Sequence, residues 1–163
     1  MSQRLQSIFF FVSALLFGAL FFLPLAEYLG EINILRFNVF GIESLLPDGE
    51  VPFNKWFALP VLVLTITALL LGVYLALGLH KAVKMKDFVR LHSIARIDMV
   101  VIVAWIALSF AYYIRAVGLS INVQQPEYKI GAFLPLAALI LVLLGATGLK
   151  NDIKKVRSTD RIR

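Results

Sequence analysis

Four stretches of the chain carry no charge at all: Ile8–Ala26, Trp56–Leu79, Met99–Ile114 and Ile130–Leu149, of 19, 24, 16 and 20 residues. A bilayer's hydrocarbon layer is crossed by about 20 apolar residues in a helix. It offers backbone groups no water, so runs of this length must close their hydrogen bonds internally as helices. A transmembrane β-barrel would instead show alternating segments of about ten residues. Composition agrees: 60% of residues are hydrophobic and 16% charged, against about 45–50% and about 25% in soluble domains. A soluble enzyme, a disordered chain and a secreted disulfide scaffold are excluded. The chain has no Cys, hence no disulfide, thiolate nucleophile, zinc knuckle or iron–sulfur ligand.

The runs differ in strength. Between Trp56 and Leu79 stand 14 Leu, Ile, Val or Phe residues, worth about −4 to −8 kcal/mol on an insertion scale as an upper bound. The third run has eight in sixteen, roughly −2 to −5 kcal/mol on the same scale, and is expected to borrow length from Arg96, Ile97, Asp98 and Arg115, whose polar ends reach the interface. Arg4 precedes the first run, but the run exceeds the apolar core of a signal peptide. Its best cleavage site, Pro24-Leu25-Ala26, places Pro where a small residue is wanted, so the first helix is expected to stay as an anchor.

Segments 1–7, 80–98 and 150–163 hold 12 of the 16 Lys and Arg residues, whereas 27–55 and 115–129 hold 4. Counting acids, the first set nets +8; the second, with Glu27, Glu31, Glu43, Asp48, Glu50 and Glu127, nets −2. Positive charge is retained on the cytoplasmic side, which predicts both termini and the middle loop inside. The expected architecture is an all-α membrane protein: one membrane domain over residues 1–163, four transmembrane helices at about 7–29, 56–81, 94–115 and 130–150 in a bundle, and a small extracytoplasmic β-containing cap. The outer loop spans 30–55 and the basic cytoplasmic tail 151–163.

In that outer loop, Ile34-Leu35-Arg36-Phe37-Asn38-Val39-Phe40 alternates apolar and polar as a half-buried strand does. Pro47-Asp48-Gly49-Glu50 reads as a turn, and Leu119–Val123 as a further short strand. The cap is either a partner- or ligand-binding surface or a lid over helix ends. No Gly or Pro interrupts residues 79–117, so the second helix is expected to continue through His80–Lys86 to a turn near Asp87–His92. The tail, with Ile153, Val156 and Ile162 among six basic residues, is expected to prolong the fourth helix along the inner surface.

No constellation for catalysis is present. His80 and His92 share a basic loop with only Asp87 and Asp98 nearby, too few donors for a metal site. A Gly-rich phosphate loop, a Ser-His-Asp order and an HExxH helix are all missing. No cofactor is expected. A proton- or ion-coupled pump is not expected either, because the four runs contain no charge of the kind kept for pathways; Asp98, beside Arg96 at the inner edge, reads as half of an interfacial charge pair. Glu27 and Arg115 fall at outer helix ends, where they could pair. The hydroxyls of Thr65, Thr67, Ser109 and Tyr112 are candidates to line a cavity between helices.

Small residues recur every four positions: Ala14 and Gly18 on the first helix, Ala68, Gly72 and Ala76 on the second, Ala107 and Ala111 on the third. Such ridges let helix backbones approach closely in lipid, either within the bundle or against another subunit. Trp56, Phe57, Tyr28, Tyr112 and Tyr113 lie where an outer aromatic belt would. Pro24, Pro60 and Pro135 sit near outer helix ends. The tail cations Lys150, Lys154, Lys155, Arg157, Arg161 and Arg163 suit contact with anionic lipid or a cytoplasmic partner.

Several segments together carry a family likeness: Gln3-Arg4-Leu5-Gln6-Ser7-Ile8, Phe22-Leu23-Pro24-Leu25-Ala26-Glu27, Arg90-Leu91 with Ala95-Arg96, Ile130-Gly131-Ala132-Phe133-Leu134-Pro135, and Val156–Arg163. The chain resembles the small four-helix membrane proteins of Bacteroidota grouped as a domain of unknown function. Asp98 departs from that pattern, which leads one to expect Asn. The resemblance implies an inner-membrane protein and brings no activity, cofactor or catalytic residue. Four helices with a β-bearing first outer loop also resemble claudin-like topology, without that group's paired cysteines and tryptophan motif.

The function expected is non-enzymatic: an accessory or scaffolding subunit of a membrane complex in the inner membrane, in contact with lipids and other membrane subunits. Small-molecule or lipid binding or transport through a cavity between the helices is the alternative. A membrane tether for ribosome or nucleic acid through the tail is weaker, since no aromatic interleaving accompanies the charge.

Overall fold

The structure, a computed structural model, describes residues 3–30, 34–47, 49, 51–54, 56–82, 85–120 and 126–160. Helix α1 (Gln3–Ala19) leads into strands β1 (Ala26–Leu29), β2 (Ile34–Asn38) and β3 (Gly41–Ser44). Helix α2 (Leu59–Lys81) and helix α3 (Met85–Ala107) follow. The third column then passes through a π-helical turn, Leu108–Tyr113, into α4 (Ile114–Ser120). Strand β4 (Glu127–Tyr128) and a single 3-10 turn (Ile130–Ala132) precede α5 (Leu134–Asp160).

Four columns result, with α1 packed on α2 and α5, and α3 packed on the same two. Each column buries residues at alternating spacings of three and four. On α1 these are Gln6, Phe10, Ser13 and Phe17, with Leu20 just past its end; on α2, Val61, Thr65, Ala68, Gly72, Leu75 and Leu79. On the third column they are Leu91, Ala95, Asp98, Ile102, Trp105 and Ser109. Spacing of this kind aligns a seam along a helix and gives the shallow crossing of helical bundles.

The outside of the bundle is as apolar as the seam. Phe11, Leu15, Val63, Leu70, Leu77, Val100, Val103, Ile140 and Leu144 are all exposed. Within the three helices long and apolar enough to cross a membrane, only 33%, 33% and 39% of the most hydropathic window is buried inside the protein. Water would leave most of that surface unsatisfied, whereas lipid does not, so the exterior is compatible with a membrane. These three helices are α2, the Lys86–Ser120 column and Ile130–Ser158.

The first helix is shorter than its sequence suggests. It ends at Ala19 instead of running to residue 29, because a turn and Pro24 intervene and Ala26–Leu29 is claimed by the sheet. Strand β1 pairs antiparallel with β2 on one side (Glu27 opposite Arg36) and with β4 on the other (Glu27 opposite Glu127), giving the order β3-β2-β1-β4. The expected alternation in the outer loop holds: Leu35, Phe37 and Val39 are buried. The Gly49 N–H reaches the Leu46 carbonyl at 3.2 Å, closing the expected turn; Asp48 and Glu50 lie outside the described residues.

Three further boundaries are corrected. The second helix stops at Lys81, with Ala82 extended, so the connection to α3 comes before Asp87 and not at Asp87–His92. The third column starts nine residues before position 94, because Phe88 and Leu91 are buried ahead of it, where α3 packs on α2 and α5. Leu119 and Ser120 end α4 and are not strand, the sheet's fourth strand being Glu127–Tyr128; residues 121–123 of the expected strand lie outside the described residues. The tail does prolong the last helix, to Asp160.

Candidate functional site

Among the described residues the bundle buries five polar side chains: Gln6, Ser13, Thr65, Asp98 and Ser109. All stand on the seam, and their partners differ. Gln6 donates from Nε2 to Asp152 Oδ2 at 2.7 Å, closing one end of the bundle between α1 and α5. Room for it comes from Gly148, where a Cβ would stand 2.8 Å from Nε2. Ser13 Oγ donates to the Ala138 carbonyl at 3.4 Å. Thr65 donates to the Val61 carbonyl and accepts the Trp105 indole N–H, both at 2.7 Å. Phe17 meets that indole edge-on, with ring centroids 6.1 Å apart.

Asp98 has no such partner. Its residue is 0% exposed, and neither carboxyl oxygen has a hydrogen bond among the described residues. Two contacts fix its depth. Trp105 bonds Thr65, and Leu91 lies 2.7 Å from where a Cβ on Gly78 would stand. In an antiparallel pair both place Asp98 level with Leu71 and Gly72, close to the middle of the 23-residue α2. Gly72 in turn packs on Ala14 and the Phe10 backbone, and Phe10 fills the space left by Gly145 on α5. Asp98 therefore lies in the central layer of the bundle.

This overturns the expected charge pair of Asp98 with Arg96. Two residues apart on a helix, the two side chains point to different faces; Arg96 is exposed and its Nε reaches His92 Nε2 at 3.3 Å. The absence of charge from the uncharged runs misled because Asp98 stands one residue outside the third. A heptad reading of Leu91, Ala95, Asp98, Ile102, Trp105 and Ser109 would have found it.

Glu27 pairs elsewhere than expected. Its carboxylate lies 2.8 Å from Arg36 Nη2 and 2.9 Å from Lys129 Nζ, and Lys129 also binds Glu127 at 2.7 Å. The Lys129 hydrogen bond, followed by that of Arg36, holds the Glu27 carboxyl below the usual carboxylate range. The Glu127 and Glu27 carboxylates raise the Lys129 ammonium in turn. Arg115 is exposed and joins no ion pair among the described residues, since cross-strand neighbours reach Glu27 first.

The four residues expected around a shared cavity are not brought together. Thr65 is bonded to Trp105. Thr67 is off the seam and bonds its own Val63 carbonyl, and Tyr112 is exposed. Only Ser109 stays buried without a partner. It sits in the π-helical turn, which brings Ser109 and Tyr113 inward together. Such turns recur at functional positions. Aromatic contacts join the turn to the cap: Tyr113 stacks on Phe37, Phe110 on Tyr128, and the Tyr28 hydroxyl donates to the Ile114 carbonyl at 2.8 Å.

The small-residue ridges divide. Ala14, Ala68, Gly72 and Ala76 are buried, and Gly18 faces Leu69, so these serve internal packing. Ala107 and Ala111, with Ala104, are exposed on the outer surface of the third column. At the other end, Tyr74, Leu77, Gly78, Lys81, Ala82, Asp87, Arg90 and Leu91 line a groove of about 420 Å³ between α2 and α3. Lys150, Lys154, Lys155 and Arg157 are exposed along α5; Arg161 and Arg163 lie outside the described residues. Among the described residues no three His, Asp or Glu side chains are grouped to hold a metal ion.

The family described as a domain of unknown function, DUF4293, matches residues 2–162. The chain belongs to that family. No curated protein matches this DUF4293 chain.

Proposed function

We propose that this DUF4293 chain is a non-enzymatic accessory or scaffolding subunit of an inner-membrane complex, crossing the bilayer four times with both termini cytoplasmic. Helix α1 supplies the fourth crossing, its 17 residues extended by the apolar turn before Pro24. The excess of Lys and Arg in segments 1–7, 80–98 and 150–163 supports the orientation. What carries the subunit role is the outward ridge of Ala104, Ala107 and Ala111. The ridges of α1 and α2 (Ala14, Gly18, Ala68, Gly72 and Ala76) are consumed inside the bundle, whereas this ridge leaves a close-approach surface for a foreign helix.

Tagged purification in mild detergent, followed by mass spectrometry, tests the reading. A stoichiometric membrane partner is expected with the wild type and lost with Ala107→Leu/Ala111→Leu, whose thermal unfolding should match the wild type because both positions are exposed. A chain that emerges alone overturns it. A lipid role is favoured by one observation, the groove between α2 and α3: Lys81 and Arg90 stand at its rim with Tyr74 and Leu77 below, a combination suited to an anionic headgroup over an acyl chain.

A further inference from the structure

We infer that Asp98 is a proton-binding site inside the membrane domain, neutral while the bundle is closed and ionised only when α3 parts from the seam. The inference is independent of whether a partner docks on the outward ridge. It rests on three features: complete burial, two carboxyl oxygens without a hydrogen bond, and a position level with Leu71 and Gly72 in the central layer. A carboxylate placed there to hold helices together would be bonded, as Thr65 and Gln6 are. An ionised carboxylate without a counter-charge cannot be kept in such a layer.

Among the described residues no charged group faces it from the helices packed against α3. On α2 the nearest titratable side chain in level is Tyr74, turned outward, with His80 and Lys81 at the helix end. On α5, Lys150 is exposed and lies near His92, which sits beside the Ala146 backbone well below Asp98; Asp152 is bonded to Gln6. Across the seam on α1, Arg4 is exposed at the helix start. Among the described residues, then, the carboxyl has only its own proton to neutralise it. Losing that proton requires water or a cation to reach the layer, which the apolar Ile102 above and Ala95 below prevent while the seam is shut. Proton release and helix separation are thereby coupled, and an ionisable group at this depth is of the kind retained for such work.

The test is infrared spectroscopy of the full chain in a detergent without ester groups, wild type against Asp98→Asn, from about pH 5 to 9, a range in which solvent-exposed carboxylates are ionised. The expected result is a carbonyl band of un-ionised carboxylic acid that persists at neutral pH in the wild type and is missing from the Asn variant. Should Asp98→Asn fail to fold, Asp98→Glu replaces it, with the band retained at a displaced frequency. No such band at neutral pH means that Asp98 is ionised, and the inference falls. Thermal unfolding supplies a second readout. A proton held only by the folded chain lowers the folding equilibrium constant by up to about tenfold per pH unit as pH rises, and this slope should vanish in Asp98→Asn. Equal slopes in the two proteins would overturn the coupling.

Discussion

Glu27 and Asp98 are both carboxylates on elements with partners on either side, yet they lead opposite lives. Glu27, on the central strand β1, has Arg36 across one ladder and Lys129 just past the other, and both cations reach it. Asp98, on a column flanked by α2 and α5, is fully buried with no hydrogen-bond partner among the described residues. In the cap, water screens whatever the pairs leave over, so the cluster contributes order more than stability. In the bundle nothing screens, and a single carboxyl decides which protonation state the closed fold can have. A satisfied charge reads as structure, and an unsatisfied one in the central layer as function.

The sharpest way to break this contrast is to put a fixed charge where Asp98 stands. Asp98→Lys should cost on the order of 3–5 kcal/mol, the scale of an uncompensated buried charge, and abolish recovery of monodisperse protein, whereas Asp98→Leu should melt no lower than the wild type. A Lys variant that unfolds with the wild type would show the layer to be wet. Next comes the junction of the two regions. Gly131 packs directly on the Pro24 carbonyl, so Gly131→Ala should lower stability by about 1–3 kcal/mol through overpacking against backbone, read from thermal unfolding.

A smaller effect tests whether satisfied seam polars behave as stated. Thr65→Val strips the Trp105 indole of its acceptor and should cost about 1 kcal/mol, in line with hydrogen bonds between membrane helices. Trp105→Phe in that background should cost much less than in the wild type, the signature of coupling in a double-mutant cycle. The smallest effect belongs to the cap. Because Lys129 and Arg36 hold the Glu27 carboxyl below its usual range, the folded cap binds fewer protons than the unfolded chain. Its stabilisation is thus present above the usual carboxylate range and lost as pH falls through the lowered value. Hydrogen exchange of β1 and β2 amides should quicken in acid by an amount worth at most about 1 kcal/mol. Glu27→Gln should flatten that response, and Arg115→Glu should leave it unchanged.

Periodicity and charge counting were enough for part of the architecture. Long uncharged runs require helices in lipid, and the alternation of Leu35, Phe37 and Val39 requires a strand with one buried side. Prolines at 24, 60 and 135 stand beside helix ends because a missing N–H is tolerated there. The terminal motifs led to the right family, whose match spans 2–162.

Tertiary structure decided the rest, for the physical reason that partners separated along the chain compete for the same groups. Ala26–Leu29 follows directly on an apolar run, but two strands offer it a ladder, so it leaves the helix. Glu27 had three cations within plausible reach along the chain, and sheet register awarded it Arg36 and Lys129. Whether a small residue faces a neighbour or lipid depends on helix rotation, which only packing sets, and so Gly72 closed against Ala14 while Ala107 turned out. Asp98 lies at the edge of its run in sequence and in the middle of the bundle in space, because α3 extends downward to fill its seam with Leu91 and Ala95.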